Sequence, residues 1–450
     1  MKSRQQLKRF SFVIPLAVIT LLLTLPATAT AISTSDPATV ALDWNSAAVD
    51  TARAERVTTE LAPGTSSRAF YQGEGLLYVS YVQAAVYDAA MKIDHRYRPY
   101  HHFSAAAGNA SLPAAVIAAA YNTLVYYFPD QIGTLTAKYD ASISALPNDK
   151  ATARGINVGR AAAADLEALR TTDGRNEPTP VFGMGPLQAG LWSLPNTPGS
   201  TQIAQTPWMA SLQPFMLDST SQFRAPPPPA LTSDQYAQDL NETELYGSKT
   251  STVRTADQTN IGYFWNANVI SQLNQTLRDF STQHAMDLVD TTRLLAMGDM
   301  VSTDAGLACF DSKYTYQYWR PVEAIRHADI DGNAATTADP NWTPVLATPN
   351  HPEYPSQHGC FTSSWARVLA NAGGTDNINL TIRGATPANT TGLVTTRTYA
   401  TVDALLNQLV GARIYLGFHL RHSVIAGETL GTSVANWELQ RYFLPTDNDN

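Results

Sequence analysis

Only two cysteines, Cys309 and Cys360, occur in the 450 residues, so the chain can close one disulfide at most and must rest on an apolar core. A surplus of positive charge is missing too. Thirty Lys and Arg stand against 38 Asp and Glu, a formal charge of −8, and an acidic chain is a poor partner for nucleic acid. There is no second apolar run long enough to cross a membrane, no internal repeat and little of the alternation that marks strands. The run HADIDGN at 327–333 resembles a calcium loop but lacks the glutamate that would close it, and it reads as a turn.

What is present begins with a basic start, Met-Lys-Ser-Arg-Gln-Gln-Leu-Lys-Arg. It continues through an apolar run over 10–25, interrupted by Pro15, to Pro26-Ala-Thr-Ala-Thr-Ala31. Basic, apolar and small-residue regions in that order make 1–31 a secretory signal peptide, removed on export. A secreted or periplasmic protein without a stable membrane anchor is expected. Loss of four positive charges moves the formal charge from −8 to −12.

The rest reads as all-α, helical bundles packed into one body with long ordered loops and few strands. Residues 32–230 form an N-terminal helical half and 231–450 a C-terminal half. Apolar residues at helical spacing predict helices over 38–57, within 68–94, and over 111–128, 131–145 and 150–170. Residues 172–230 are rich in Pro, Gly, Ser and Thr yet carry Phe182, Trp192, Trp208 and Phe215. Such a segment is too apolar for a free linker and should wrap over the helices towards the site. Further helices are predicted over 232–246, 255–281, 282–309, 360–370, 403–420 and 423–441, with room for a short hairpin within 371–396. Asn109, Asn241, Asn274, Asn379 and Asn389 head glycosylation sequons, relevant only in a eukaryotic host.

Three stretches carry chemistry. In 350–367, two prolines precede Ser356-Gln357-His358, and Phe361, Trp365 and Leu369 then recur on one helical face. A loop entering a helix there would present free N–H groups and the positive end of the helix dipole to an oxyanion. A serine at such a place is ordinarily a cap. In 313–321, Lys313 and Arg320 stand seven apart among Tyr314, Tyr316, Tyr318 and Trp319. On one helix ended by Pro321 they would share a face, and cations packed among aromatics call for an anion. In 411–423, Arg413 and His419 sit among Ile414, Leu416, Phe418 and Leu420.

Read together as K-x6-RP, PS-x-H and R-x5-H, the stretches resemble the three-part signature of the phosphatidic acid phosphatase type 2 and vanadium-dependent haloperoxidase superfamily. The long helical chain resembles its haloperoxidase-like members. The resemblance implies that Lys313, Arg320 and Arg413 bind the oxygens of vanadate or phosphate, with Ser356 and the backbone N–H of Gln357 completing the cradle. His419 would ligate vanadium or attack phosphorus, and His358 would serve as acid–base. With vanadate as cofactor the partners would be hydrogen peroxide, which Lys313 would polarise, and halide. As an acid phosphatase the chain would act on phosphate esters through a phosphohistidine. A homodimer is left open. Two positions depart from the pattern: Gln357 stands where the family has glycine, and Ser423 stands where it has an aspartate four residues after the histidine. The second departure is expected to weaken the phosphatase more than vanadate ligation. Both allow a third reading, an oxyanion-binding protein without turnover. Cys309 and Cys360 flank two of the stretches, and in an exported chain they are expected to bridge.

Overall fold

The computed structural model describes residues 37–57, 67–175, 177–194, 203–384 and 395–446. The expected signal segment and the Asn389 sequon lie outside them. Five helices make up the first half: α1 (Ala38–Ala54), α2 (Gln72–Asp94), α3 (Leu112–Tyr127), α4 (Ile132–Ser144) and α5 (Lys150–Leu169). Two of them start on a capping side chain. Ser111 caps α3 by accepting the Ala114 N–H, and Asp149 caps α5 by accepting the Thr152 N–H. α2 is buried from Gly73 to Met91. Its small residues let neighbouring helices come close on every side.

The second half holds α6 (Asp234–Gly247), α7 (Ala256–Phe264), α8 (Val269–Gln283), α9 (Leu288–Tyr316), α10 (Pro321–Arg326), α11 (Gln357–Gly373), α12 (Val402–Tyr415) and α13 (Arg421–Leu439). Two antiparallel pairs are the only sheets among the described residues. β1 (Arg56–Val57) pairs with β2 (Arg68–Ala69), and β3 (Leu380–Arg383) pairs with β4 (Thr396–Tyr399), the expected hairpin. α9 is the central element, packed against α1, α2, α8, α11 and α13. Leu295, Met297, Met300 and Val301 on it are wholly buried, each worth about 1.5–3 kcal/mol of apolar burial. Residues Asp36–Asn450 form one compact unit, and no described helix is long and apolar enough to cross a membrane.

The segment after α5 does wrap the helices. Asp304 of α9 accepts backbone N–H groups from Phe215, Met216 and Leu217. Farther along the fold, Trp192 N–H donates to Gln317 O, and Trp319 N–H donates to Gly190 O. The wrap is therefore fastened to the end of α9, where the site begins.

Three expectations are corrected. The helix predicted over 255–281 is two, because the Asn268 side chain accepts the Ser271 N–H and starts α8 afresh. Lys313 and Arg320 do not share a helix. α9 ends at Tyr316 with Gln317 left-handed (φ 46°), and Pro321 opens α10 instead of closing α9. His419 is not helical either. α12 stops at Tyr415, and Gly417 turns the chain at φ +73° before α13.

Candidate oxyanion site

α11 begins at the site, and Ser356 directly precedes its first residue. Ser356 occupies the N-cap position, yet its side chain makes no cap bond, and its Oγ is buried with no partner. The hydroxyl faces something other than the helix. α13 holds this corner in place. The Ser356 N–H donates to Ser423 O at 2.8 Å, and a Cβ at Gly427 would stand 2.5 Å from Ser356 O.

A cavity of about 60 Å³ opens in front of α11, lined by Gln72, Gln205, Pro349, His351, Gln357, His358, Arg413 and His419. Like Ser356 Oγ, His358 Nε2 and Arg413 Nε are buried there without partners. Buried polar atoms are nearly always satisfied, so their concentration around one small cavity marks a missing acceptor or donor. Gln357 does not close the cavity. Its amide lies against α2 at Gly73, where a Cβ would stand 2.9 Å from Nε2. The position that lost its glycine is accommodated by a glycine on another helix.

The remaining cations approach from the other side. Arg320 places Nη1 3.3 Å from His419 Nε2 and 3.0 Å from Phe418 O, while its Nε donates to His351 O at 2.8 Å. Its Nη2 lies 3.0 Å from His351 Nδ1. It also lines a larger cavity of about 400 Å³, with Trp192, Glu323, Arg326 and His327, which shares Pro349 with the small one. Lys313 Nζ donates to Pro352 O at 2.9 Å and Glu353 O at 3.0 Å, leaving one of its three donors. The structure thus gathers Gln357, His358, Arg413 and His419 at the cavity wall. Ser356 stands at its helix end, with Arg320 against His419 and Lys313 behind the loop.

Burial governs the charges. It pushes Lys313 down to about 8, Arg320 to about 10 and Arg413 to about 9. Burial first, and then these cations, hold His351, His358 and His419 well below 6.5, so all three imidazoles are neutral at pH 7. Three buried cations around neutral imidazoles make a site that favours a multiply charged anion.

The sequence reading missed four contributors. His351 is a third imidazole at the wall, and Gln72 and Gln205 come from the N-terminal half and the wrap. Glu353 is the fourth. It is wholly buried, and its carboxylate accepts from His419 Nδ1 at 3.0 Å, from the Leu420 N–H at 2.9 Å and from the Ser423 hydroxyl. The PEYPS spacing was the available signal, but nothing in the sequence says where the carboxylate turns. Glu353 also corrects the consequence drawn from Ser423: His419 does have a carboxylate partner, supplied from the loop before α11. Cys309 and Cys360 lie within side-chain hydrogen-bonding reach of each other, as the expected bridge requires, but are not joined. Both are free, buried thiols on the packed helices α9 and α11, and burial raises the Cys360 pKa and keeps its proton on. Cys309 Sγ donates to Pro355 O at 3.7 Å.

Residues 293–445 match the family model of the VCPO second helical-bundle domain. A stretch of 137 residues is 28% identical to vanadium chloroperoxidase of Curvularia inaequalis. It covers 25% of this chain and 22% of that relative, about a fifth of the relative's length. Among solved structures, the first bacterial vanadium-dependent iodoperoxidase superposes with a TM-score of 0.73 at 19% identity, over 91% of this chain and 98% of its own. A holo-type bacterial vanadium-dependent chloroperoxidase superposes with a TM-score of 0.67 at 18% identity, over 86% and 94%. Residues 293–445 thus match the second helical-bundle domain of the VCPO type, and the described residues share the fold of the vanadium-dependent haloperoxidases they superpose on.

Proposed function

We propose that the protein is an exported haloperoxidase that oxidises halide with hydrogen peroxide, using vanadate held at His419. The observation that carries this reading is one cavity wall where His358 Nε2 and Arg413 Nε, buried and unpartnered, stand beside His419, with the unpartnered Ser356 Oγ at the adjoining start of α11. These donors suit a tetrahedral oxyanion: hydroxyl, guanidinium and helix N–H groups for its oxygens, and an imidazole nitrogen for its centre. Bound vanadate supplies a Lewis-acid centre that activates hydrogen peroxide for two-electron oxidation of halide. The chain supplies the rest. Arg320 and Arg413 neutralise the anion, and Ser356 donates its hydroxyl proton to an oxygen. His358, neutral and buried, exchanges a proton through Nε2. Lys313 adds charge from behind the loop. The larger cavity at Arg320 offers halide and peroxide a way in.

The test loads the purified chain with orthovanadate and follows peroxide-dependent bromide oxidation, beside hydrolysis of a generic phosphate ester. Vanadate-dependent halide oxidation, inhibited by inorganic phosphate competing for the cavity, is the expected result. Ester hydrolysis without halide oxidation would contradict it and support a second reading, an acid phosphatase, which the Glu353–His419 contact favours. In that reaction His419 Nε2 bonds to phosphorus as the P–O ester bond breaks. His358, which takes up a proton when the dianionic ester offsets the surrounding cations, gives it to the leaving alkoxide and then takes one from the water that displaces the imidazole to release phosphate. Anion binding with neither activity would leave the binding protein.

A further inference from the structure

His419 is held at both ring nitrogens, and the two contacts agree. Glu353 Oε1 lies 3.0 Å from Nδ1 and also accepts the Leu420 N–H at 2.9 Å. Glu353 Oε2 accepts the Ser423 hydroxyl. The Leu420 N–H and the Ser423 hydroxyl donate to both oxygens of one carboxyl group, which is the arrangement of a carboxylate, so Nδ1, the third group facing it, carries the proton. On the opposite edge, Arg320 Nη1 is 3.3 Å from Nε2. A guanidinium only donates, so Nε2 presents its lone pair.

We infer that Glu353, with Ser423 as its partner, is the positioning residue of His419. It fixes the Nδ1–H tautomer and aims the Nε2 lone pair into the cavity, doing from the loop before α11 what a carboxylate at position 423 would do from α13. A plainer reading makes Glu353 a counter-ion for the buried cations. The geometry argues against that. Lys313 binds the Glu353 backbone carbonyl, not its carboxylate, and Arg320 feels the Glu353 charge only through space, its N–H groups going to His351, Phe418 and His419. Among the described residues, the only basic side chain within ion-pairing distance of the Glu353 carboxylate is the neutral His419 imidazole. Its backbone is pinned as well, the N–H donating to Tyr318 O at 2.9 Å and the carbonyl accepting Lys313. One residue therefore joins the end of α9 to the imidazole 66 positions farther along.

The inference rests on the proposed site only for its ligand arm. The test uses the full chain labelled with ¹⁵N-histidine, as the parent, Glu353→Gln, Glu353→Ala and the double variant Glu353→Ala/Ser423→Asp. In the parent, without added anion, His419 should show a protonated Nδ1 and an unprotonated Nε2. Gln is isosteric and keeps an acceptor at the Oε1 position, so it should keep that tautomer. Ala should lose it, and Asp at 423 should restore it. The second arm compares orthovanadate with inorganic phosphate by calorimetry. Phosphate feels the cations, whereas vanadate also needs the imidazole. The ratio of the two affinities should fall roughly 10- to 100-fold in Glu353→Ala, the range for a lost partner of a metal-ligating histidine, and recover in the double variant. A protonated Nε2 in the parent, or an affinity ratio unchanged in Glu353→Ala, overturns the inference. If the parent binds neither anion, the proposed function fails and the tautomer of the parent and of Glu353→Gln still decides the role of Glu353.

Discussion

Two clusters of buried polar groups touch α9, and they differ in one respect. Asp304, in the middle of the helix, is wholly buried, and its oxygens accept the N–H groups of Phe215, Met216 and Leu217 at 2.8, 2.7 and 3.3 Å. The fold satisfies it. At the end of the helix, beyond Lys313, His358 Nε2 and Arg413 Nε stand at the cavity wall without a partner, and Ser356 Oγ is unpartnered at the adjoining start of α11. Both clusters cost desolvation, but only the first recovers it inside the protein. A buried group that the chain has satisfied builds the fold. A set left unsatisfied around one cavity awaits a ligand.

Substitutions should separate the two. The largest effect belongs to the cavity imidazoles. His358→Ala should bind vanadate much as the parent does, yet lose turnover by roughly 100- to 10,000-fold, as acid–base help disappears. His419→Ala should lose vanadate affinity by more than about 100-fold, beyond the range for removing a supporting residue. Calorimetric affinity and bromide oxidation on both variants check this, and the reverse pattern would exchange the two roles. Next comes Asp304→Ala. It strands three backbone N–H groups and should destabilise the protein by roughly 3–5 kcal/mol in denaturant unfolding, while phosphate affinity of the folded fraction holds. Ser356→Ala should do the opposite. Without a partner to lose, it should change unfolding by about 0.5 kcal/mol or less, but weaken anion binding roughly 10- to 100-fold, the loss of one hydrogen bond to a charged ligand.

The smallest effect is in pH, where the cavity again behaves unlike Asp304. His351, His358 and His419 have native pKa values well below the unfolded 6.5. Below pH 6.5 the unfolded chain takes up protons that the native cavity refuses, so the stability of the anion-free protein should fall as pH falls from there. On the alkaline side Lys313 loses its charge near 8, and anion affinity should weaken as pH rises through that value. Denaturant unfolding and phosphate titration across pH 5 to 9 test both signs.

Much of this was legible in the residues. Helical spacing identified most helices within a few positions, and the three stretches named Lys313, Arg320, Ser356, His358, Arg413 and His419 before any geometry was known. What the sequence could not show is where chains meet across long separations. Glu353 reaches His419 over 66 positions, and Gln72 and Gln205 join the wall from elements that carry no motif. Local chemistry misleads in one place: seven-residue spacing suggests one helix for Lys313 and Arg320, but left-handed Gln317 ends α9 between them. Two cysteines in an expected exported chain suggest proximity, and the packing of α9 on α11 does bring the two buried thiols within hydrogen-bonding reach. Gln357 stands where the resembled family has glycine, and only the neighbouring helix reveals Gly73 making room for its side chain.

The central claim is that the unpartnered groups at the start of α11 form one oxyanion site. Isothermal titration of the full chain with orthovanadate, repeated with inorganic phosphate present and with His419→Ala, tests it most directly. The account predicts one vanadate bound per chain, displaced by phosphate and greatly weakened in the variant. No binding of either anion, or vanadate binding undiminished in His419→Ala, would contradict it.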